Sequence, residues 1–294
     1  MMDVSNSSSA LPDAVARLAP SVVGVATRRR SGSGVLWRAG VVVTSASAVW
    51  RASSVSLALP DGEHVPGEVR GTDGSTDLAV VTFESRSMPV AERAAAGTSR
   101  IGDFVFALGR DASGLAQASF GHVGSVAGEW RTWRGGRVDQ LIRLDGGLYP
   151  GLTGAPVADG AGKVIGIASD ALSRHHGVVL PVATIDRVLD QLLSHGRMRH
   201  GYLGIAAQPV RATFDGSAVD GLLVSSLADD GPAARAGILV SDVIVKVDGE
   251  AVTSLAALRD RMTVGAQVRV LLSRGGAAHE ITVEVGERPA SRCG

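Results

Sequence analysis

Short runs of apolar, β-branched residues separated by glycine-rich turns dominate the chain from about residue 20 to 180. A turn signal recurs about every dozen residues, which is typical of the many short strands of a β-barrel or sandwich. No helical pattern alternates with these runs, and this argues against a parallel α/β sheet. The predicted strands cover residues 21–27, 40–45, 54–59, 78–83, 103–109, 140–144 and 163–169.

The pattern changes to a helical period at residues 181–197. Pro181 stands at the start of this stretch and Gly196 at its end, as expected for the two ends of a helix. We therefore predict an amphipathic helix that closes the β region and leads into a linker around residues 197–201. Its apolar face consists of Val182, Ile185, Val188, Leu189, Leu192 and Leu193.

The rest of the chain mixes both kinds of pattern. Runs such as LLVSSL and QVRVLLSR predict strands, whereas DGPAARAG and SLAALRDRM predict a short and a longer helix. We expect a compact α+β module of about ninety residues, which is a common domain size. With 294 residues, of which 45% are hydrophobic, the chain is long enough for two domains with buried cores.

Charge and cysteine content exclude several classes of function. The 29 basic residues equal the 29 acidic ones, so the chain lacks the long-range positive field of a nucleic-acid-binding protein. The local run Arg28–Arg30 is interpreted as a solvated loop, since no aromatic residues are interleaved with it. The single cysteine, Cys293, permits no internal disulfide and no cysteine-rich zinc motif.

No cofactor and no metal are expected. A metal site made of His175, His176, His195 and His200 is disfavoured because no carboxylate or cysteine falls at ligand spacing. The N-terminus lacks the basic and apolar regions of a signal peptide, and no apolar run approaches the length of a spanning helix. The sequence as it stands predicts a cytoplasmic protein, and an extracytoplasmic one where a targeting segment has been removed.

The C-terminal module resembles a PDZ domain. The resemblance is carried by YLGI (202–205), by GPAARAG (231–237) and by DVIVKVDG (242–249). In that family the YLGI-type loop presents backbone N–H groups to a peptide's terminal carboxylate, and the following strand pairs with the peptide. The alternative is that Leu203 and Ile205 are only core residues of a strand. The resemblance implies peptide binding by Tyr202, Leu203, Gly204, Ile205, Leu258 and Met262.

The β region and the module together resemble the HtrA/Deg family of trypsin-like serine proteases over about residues 20–288. That resemblance implies a mainly β chain, a chymotrypsin-like double β-barrel of two six-stranded barrels followed by the α+β PDZ domain. The motifs are GSGV (32–35), GVVVTSASAV (40–49), STDLAVV (75–81), IGDFVFALG (101–109) and LDGGLYPGLTGAPV (144–157). The expected divisions are an N-terminal segment 1–19, the barrels 20–197, the PDZ domain 198–288 and a tail 289–294.

Only part of the family's Ser-His-Asp triad carries over to this chain. The resemblance places Ser47 at the histidine position, Asp77 at the aspartate position and Thr153 at the serine position. With no histidine to orient, Asp77 is expected to serve a structural role. The N–H groups of Gly151, Leu152 and Thr153 are expected to persist as an oxyanion-hole-like nest, because any residue supplies a backbone N–H.

These substitutions argue against classical proteolysis. A serine hydroxyl does not titrate near neutral pH, so Ser47 cannot act as the base. Threonine nucleophiles typically use an N-terminal amine as base, whereas Thr153 is internal. Loss of a triad member costs on the order of 10⁴ to 10⁶ in rate.

Other histidines are candidates for a replacement base. His64 is expected in a hairpin after the strand 54–59, and His122 near a later strand. His175 and His176 match a loop beside the family's specificity pocket, where an exposed loop histidine is the simpler interpretation.

We therefore expect a pseudoprotease that works as a peptide-binding or scaffolding protein through its PDZ groove. The alternative is an active endopeptidase that uses Thr153 as a non-standard nucleophile with a loop histidine as base. A third hypothesis is regulation by mixed assembly with an active paralogue. The resemblance implies trimers, but the N-terminal segment lacks aromatic anchors. The expected partners are peptide or protein C-termini.

Overall fold

The structure is a computed structural model. It describes residues 4–84, 87–146, 149, 151–173, 177–199, 201–214 and 216–287, with the backbone alone for residues 4–9. The chain divides into two compact units, Met1–Met198 and Arg199–Gly294.

The first six strands of unit one form a closed antiparallel barrel, in the order β1-β2-β3-β6-β5-β4. Its interior is filled by alternate apolar residues such as Val25, Leu57 and Val81, all fully buried. The strands are β1 Val22–Ala26, β2 Ser31–Arg38, β3 Val41–Ser45, β4 Ser54–Ala58, β5 His64–Asp73 and β6 Leu78–Thr82.

A second closed barrel follows, in the order β11-β14-β13-β12-β7-β8. A small hairpin, β9-β10, projects between β8 and β11. The predicted mainly β, chymotrypsin-like double barrel is thereby confirmed. The strands are β7 Phe104–Arg110, β8 Ala116–Ala127, β9 Trp130–Arg131, β10 Arg137–Val138, β11 Leu141–Leu144, β12 Pro156–Asp159, β13 Val164–Ser169 and β14 Val178–Pro181.

Two helices flank the barrels. The helix predicted from the period at 181–197 is α2, Val182–His195, which begins after Pro181 and ends at Gly196 in the left-handed conformation (φ 69°). Its buried face, which includes Ile185 and Leu192, packs on a core cluster shared by both barrels.

An N-terminal helix, α1 Val4–Leu18, was not expected from the sequence. Its Ala14 and Leu18 are buried against the same core cluster as α2. The turn between β12 and β13 lies so close that a Cβ on Gly162 would come within 2.9 Å of the Ala14 oxygen. The part of α1 from Ala14 to Leu18 thus packs against the barrels. A 3-10 turn, Ala19–Ser21, connects the helix to β1.

Unit two is the α+β module expected from the pattern after residue 200. Its main sheet runs β16-β17-β18-β20-β21, so β16 lies at one edge. The core contains the fully buried Leu222, Ile244 and Leu272. The elements are β15 Gly201–Tyr202, β16 Ile205–Phe214, β17 Ser217–Leu227, α3 Pro232–Arg235, β18 Val243–Val247, β19 Glu250–Ala251, α4 Leu255–Asp260, β20 Gln267–Arg274, β21 Ala277–Glu284 and β22 Gly286–Glu287.

Of the helices in the described part of the chain, none combines the length and the hydropathy needed to cross a lipid bilayer.

Candidate functional site

Asp77 is the centre of a buried polar cluster in unit one. It precedes β6 in the left-handed conformation (φ 58°) and is only 2% exposed. Its Oδ1 accepts a hydrogen bond from the Ser47 backbone N–H at 2.9 Å. Its Oδ2 accepts from the hydroxyls of Ser45 and Ser169, each at 2.7 Å. The carboxylate therefore ties together the ends of β3 and β13.

Burial raises the pKa of Asp77 above its usual value. The hydrogen bonds from Ser45, Ser169 and Ser47 act in the opposite direction, because they favour the ionised form. The nearby charge of Asp170 further raises the pKa of Asp77. Desolvation is the largest of these influences, so the site favours a protonated carboxyl more than water does.

Ser47 occupies the position at which the family resemblance places a histidine. Its Oγ lies 2.6 Å from the Ser45 Oγ, and its carbonyl accepts a hydrogen bond from Arg30 at 3.2 Å. The side chain is half-buried. A hydroxyl at this point extends the serine network around Asp77 and supplies no titrating base.

Thr153 lies in a loop shaped by Gly151 (φ 89°) and Gly154 (φ 79°). Its Oγ1 donates to Oδ1 of the exposed Asp170 at 2.9 Å. Its carbonyl accepts from the Ser33 N–H at 3.0 Å. The threonine hydroxyl is thus oriented by a carboxylate, in the place where a protease would orient a nucleophile toward an imidazole.

The fold brings Ser47, Asp77 and Thr153, the positions to which the family resemblance assigns the triad, into one cluster. Thr153 bonds to Asp170, whose neighbour Ser169 bonds to Asp77, and Asp77 bonds to Ser47. The loop after Thr153 also lies directly on β2 and β3. A Cβ on Gly154 would come within 2.4 Å of the Ser33 oxygen and 2.7 Å of the Ser45 nitrogen.

The backbone N–H groups of the loop are in part engaged. The Leu152 N–H donates to the Tyr149 carbonyl at 3.2 Å, which closes a turn. The Gly151 carbonyl accepts from the Ser33 hydroxyl at 2.9 Å. The Leu152 side chain is fully buried, so it anchors the loop to the second barrel. Gly151, Leu152 and Thr153 are expected to form an oxyanion-hole-like nest of N–H groups. The Leu152 N–H instead donates within the loop.

Two of the histidines considered as replacement bases have other contacts. His64 begins β5, where its Nδ1 lies 3.4 Å from the Ser56 Oγ. His122 lies in β8 and packs edge-on against Phe104, with ring centroids 5.6 Å apart. His175 and His176 lie outside the described residues. Among the residues that the structure describes, no three His, Cys, Asp or Glu side chains converge as a metal site.

Three residues of the cluster were not singled out from the sequence. Ser45 ends β3, Ser169 ends β13, and Asp170 follows immediately. The sequence signal for these residues was the polar pair Ser169-Asp170 at the end of the fully buried strand β13. Spacing could not reveal that Ser169 lies beside Asp77, since these residues are 92 positions apart in the chain.

The expected carboxylate loop of the module is a tight, glycine-dependent turn. Tyr202 ends β15. The carbonyl of the buried Leu203 accepts a hydrogen bond from the Ala233 N–H at 2.8 Å. Gly204 has φ 77°, and a Cβ there would approach the Gly231 Cα to 2.9 Å. Ile205 then begins the edge strand β16. The loop therefore leads directly into β16, which pairs only with β17 among the strands that the structure describes.

The two residues expected on the opposite wall differ in their surroundings. Leu258, in α4, is 2% exposed and belongs to the core of the module. Met262, after α4, is half-buried and packs against β15, because a Cβ on Gly201 would lie 2.5 Å from the Met262 Cβ. Both residues anchor the segment that packs beside β16.

The family comparisons agree with this two-part architecture. A model described as a trypsin-like peptidase domain matches residues 32–167. A model described as a PDZ domain matches residues 201–285. The first match spans the barrels from β2 to β13, and the second spans nearly all of unit two.

Curated relatives match across both parts. A probable periplasmic serine endoprotease DegP-like of Halomonas elongata is 32% identical over an alignment of 289 residues, which covers 94% of this chain and 60% of the relative. A protein of the same description from Brucella suis is 32% identical, with 88% of this chain and 53% of the relative covered. The chain thus spans between about half and 60% of the length of these relatives.

Solved structures match in three dimensions. The serine endoprotease from Yersinia pestis is 27% identical with a TM-score of 0.77, covering 95% of this chain and 98% of that one. The HtrA-type protease AlgW with tripeptide is 26% identical with a TM-score of 0.75 and the same coverage. The family models, the relatives and these structures together support one assignment, an HtrA/DegP-type homologue of the trypsin-like serine proteases with a PDZ domain.

Proposed function

We propose that this chain is a pseudoprotease of its family: it captures the C-termini of peptides or proteins and does not cut by a Ser-His-Asp mechanism. The observation that carries the proposal is the ligation of Asp77. Its two oxygens accept from Ser45, Ser47 and Ser169, so the carboxylate orients two hydroxyls and a peptide N–H. Serine at position 47 leaves this carboxylate without the imidazole that it orients in the family.

Hydrolysis needs a group that removes a proton from the nucleophile as the new bond forms. The Thr153 hydroxyl donates a hydrogen bond to Asp170. A carboxylate has only a weak driving force for removing a proton from an alcohol. The threonine methyl adds crowding. Its Cγ2 lies on the side of Gly32, where an added Cβ would approach it to 3.2 Å. These features support loss of cutting while the loop keeps its shape.

Peptide capture is supported by the module. An edge strand that follows a glycine-shaped loop is the arrangement that binds a peptide as an added strand. AlgW, which is similar in fold, has been solved with a tripeptide. Tyr202, Leu203, Gly204 and Ile205 then form the carboxylate loop, with Leu258 and Met262 supporting the opposite wall.

A cleavage assay tests the loss of proteolysis. Fluorescein-labelled casein is incubated with the wild-type chain and with Thr153→Ala, and soluble fragments are measured over hours. We expect both proteins to match the buffer blank. Reproducible turnover by the wild type that Thr153→Ala abolishes would overturn the proposal.

One observation favours a second candidate, an endopeptidase with a non-standard site. The Thr153 hydroxyl is already hydrogen-bonded to a carboxylate at 2.9 Å, so Asp170 or a loop histidine would serve as its base. Asp170→Asn and the double variant His175→Ala/His176→Ala separate the two candidates. An enzyme loses its turnover in one of these variants, whereas a pseudoprotease has none to lose.

Regulation by mixed assembly with an active paralogue is a further part of the proposal. Size-exclusion chromatography with light scattering measures whether mixed assemblies form. It is run on the chain alone and on the chain mixed with an active family member. A mass equal to one chain in both samples would remove this part and leave the peptide-binding proposal intact.

A further inference from the structure

Four exposed arginines lie together in unit one and form no ion pair with any carboxylate that the structure describes. Other arginines of this unit are paired, such as Arg38 with Asp190 and Arg93 with Asp186. The four belong to the turn between β1 and β2 and to the turn that follows β3. We call them the arginine patch, which consists of Arg28, Arg29, Arg30 and Arg51.

The turn between β1 and β2 holds three of these arginines in a fixed backbone. Residues 27–30 connect the paired ends of the two strands. The Thr27 N–H donates to the Arg30 carbonyl at 2.8 Å, and the Thr27 hydroxyl accepts from the Arg30 N–H at 2.9 Å. Because these hydrogen bonds close the turn, Arg28 and Arg29 stand at its tip.

The turn after β3 supplies the fourth arginine and a tryptophan. The Arg30 guanidinium donates to the Ser47 carbonyl at 3.2 Å, which joins the two turns. Trp50 is 54% exposed, and the guanidinium carbon of Arg51 lies 5.6 Å from its ring centroid. The interpretation of Arg28–Arg30 as a solvated loop rested on the lack of interleaved aromatic residues, and the fold supplies one from a separate turn.

Arg51 has a backbone conformation that is unfavourable for an arginine. The Ala52 N–H donates to the Val49 carbonyl at 2.8 Å, which closes a tight turn around Trp50 and Arg51. Arg51 has φ 56° in this turn, in the left-handed region that favours glycine. Residues held in such conformations cluster at binding sites, and this one adds a cation beside the other three.

The arginine patch lies next to the loop that contains Thr153. Gly32, two residues after Arg30, is buried. A Cβ on Gly32 would approach the Thr153 oxygen to 2.8 Å and the Ala48 Cβ to 2.9 Å. Two residues of extended chain span at most about 7 Å. A segment that crosses the candidate site therefore reaches Arg30 within two or three residues.

A polypeptide segment rich in aspartate and glutamate suits these features best. Each arginine presents a planar fork of N–H donors that matches a carboxylate. A lipid surface would require several apolar side chains to insert, and Trp50 is the one large apolar side chain exposed by these two turns, both of which the structure describes in full. A single-stranded nucleic acid would require bare ring faces for stacking, whereas Arg51 lies over the ring of Trp50.

We propose that the arginine patch binds an acidic segment of a polypeptide, at a site separate from the PDZ domain. Carboxylates of the segment pair with Arg28 and Arg29 at the tip of the first turn and with Arg51 in the second. The site consists of residues of unit one, so it does not depend on the proposed peptide capture by unit two.

Fluorescence anisotropy of the full chain tests the proposal. The probe fluorescein-Glu-Asp-Glu-Asp-Glu-Asp-amide has no free C-terminus, and fluorescein-Gln-Asn-Gln-Asn-Gln-Asn-amide is its uncharged counterpart. At about 50 mM salt we expect the acidic probe to bind at least about tenfold more tightly than the uncharged one. This advantage should shrink at about 0.5 M salt, because salt screens exposed charges. An excess of acetyl-Ser-Thr-Val-Val, which has a free C-terminus, should not displace the acidic probe.

The variant Arg28→Gln/Arg29→Gln should weaken binding of the acidic probe about tenfold, as expected for the loss of two exposed ion pairs. Arg134→Gln/Arg143→Gln is the matched control, because it also removes two exposed arginines from unit one. Arg134 likewise lies over an exposed tryptophan, with its guanidinium carbon 4.5 Å from the ring centroid of Trp133. The control should stay within about twofold of the wild-type affinity.

The variant Arg51→Gly separates binding from stability. Glycine adopts the left-handed conformation without steric cost, so the midpoint of thermal unfolding should not fall. The affinity for the acidic probe should still fall about threefold or more, since one cation is lost. An unchanged affinity would overturn the patch as defined.

Four further outcomes would overturn the proposal. Equal binding of the two probes, or equal weakening by the two double variants, would mean that carboxylates are not recognised at this patch. Displacement of the acidic probe by acetyl-Ser-Thr-Val-Val would place it in the PDZ domain. Vesicles that contain phosphatidylserine and a fluorescein-labelled oligothymidylate represent the other anionic partners. Tighter binding of either one, lost in Arg28→Gln/Arg29→Gln, would assign the patch to that partner.

Discussion

The backbone N–H of Ser47 donates to Oδ1 of Asp77 at 2.9 Å, next to a 2.6 Å contact between the Ser47 and Ser45 hydroxyls. The aspartate is therefore integrated into the serine-rich end of β3, where it orients backbone and hydroxyl groups. Its burial raises its pKa, which makes the carboxyl group a pH-dependent contributor to stability.

Asp77→Asn should make the chain more stable than the wild type near neutral pH. A carboxyl group with a raised pKa in the folded state contributes stability below its unfolded pKa, and that stability is lost as the pH rises through the folded pKa. The asparagine amide does not titrate, tolerates the left-handed backbone and still accepts from Ser47. Urea unfolding between about pH 3.5 and 7.5 should show an advantage of Asp77→Asn that grows with pH.

Asp77→Ala is the control for the hydrogen bonds themselves. It leaves the donors of Ser45, Ser47 and Ser169 without their acceptor, so we expect a loss of about 1 to 3 kcal/mol at every pH. If Asp77→Asn instead loses stability increasingly as the pH rises, the three donors outweigh the burial and the ionised carboxylate is the favoured form.

If the proposed function holds, histidine at position 47 together with serine at position 153 should create proteolysis. In Ser47→His/Thr153→Ser an imidazole lies beside Asp77 and a serine replaces the crowded threonine. Because triad members act as a unit, each single variant should stay at the blank and only the double variant should cleave casein. Fragment release over hours at pH 8, where a histidine is neutral, measures the gain.

Asp77→Asn in the background of the double variant is the matched control. A gained activity that depends on the orienting aspartate should fall by roughly 10⁴-fold, as for a triad with its aspartate replaced. Cleavage by Thr153→Ser alone would show that a base other than residue 47 already exists in this chain.

Part of the barrels could be predicted because some strands are almost entirely apolar. β3, β6 and β13 lie within one residue of the ends expected from their β-branched runs. The helix α1 was not predicted because VSNSSSALPDAVARL contains a run of serines and an internal proline. Its stability comes from packing of Ala14 and Leu18 on the shared core, which no local propensity reports.

The residues of the candidate site could likewise be predicted only in part. Asp77 and Thr153 could be located because short motifs surround them in the sequence. Asp170 could not, because its role depends on a 2.9 Å contact between the loop before β12 and the end of its paired strand β13.

Trp37→Phe should loosen α2 from the first barrel. The buried indole donates to Oδ1 of Asp186 at 2.7 Å, and its removal also leaves a small void. We expect a loss of about 2 to 3 kcal/mol, measured by urea unfolding. A double-mutant cycle with Asp186→Ala should give a coupling of about 1 kcal/mol.

The neighbouring pair Arg38–Asp190 provides the control for that cycle. It joins the same strand and helix at 2.7 Å, but both side chains are largely exposed. A cycle of Arg38→Ala with Asp190→Ala should therefore give a coupling below about 0.5 kcal/mol. Equal couplings for the two pairs would mean that burial of the indole contributes nothing to the contact.

Gly204→Ala should damage the carboxylate loop far more than Gly237→Ala damages the end of α3. Both glycines have positive φ, 77° and 90°, so both substitutions carry a strain of about 1 to 2 kcal/mol. An added Cβ at Gly237 meets nothing within 4 Å, whereas at Gly204 it approaches the Gly231 Cα to 2.9 Å. Since that neighbour is backbone, the loop must move to relieve the contact.

We therefore expect Gly204→Ala to lose at least about 1 kcal/mol more stability than Gly237→Ala. It should also weaken binding of acetyl-Ser-Thr-Val-Val more than tenfold, while Gly237→Ala stays within about twofold of wild type. Urea unfolding and calorimetric titration measure the two effects on the same samples. Equal losses of stability and affinity in both variants would mean that the loop relaxes around the added Cβ at no cost. The close approach of Gly204 to Gly231 would then not hold the N–H groups proposed to bind the carboxylate in place.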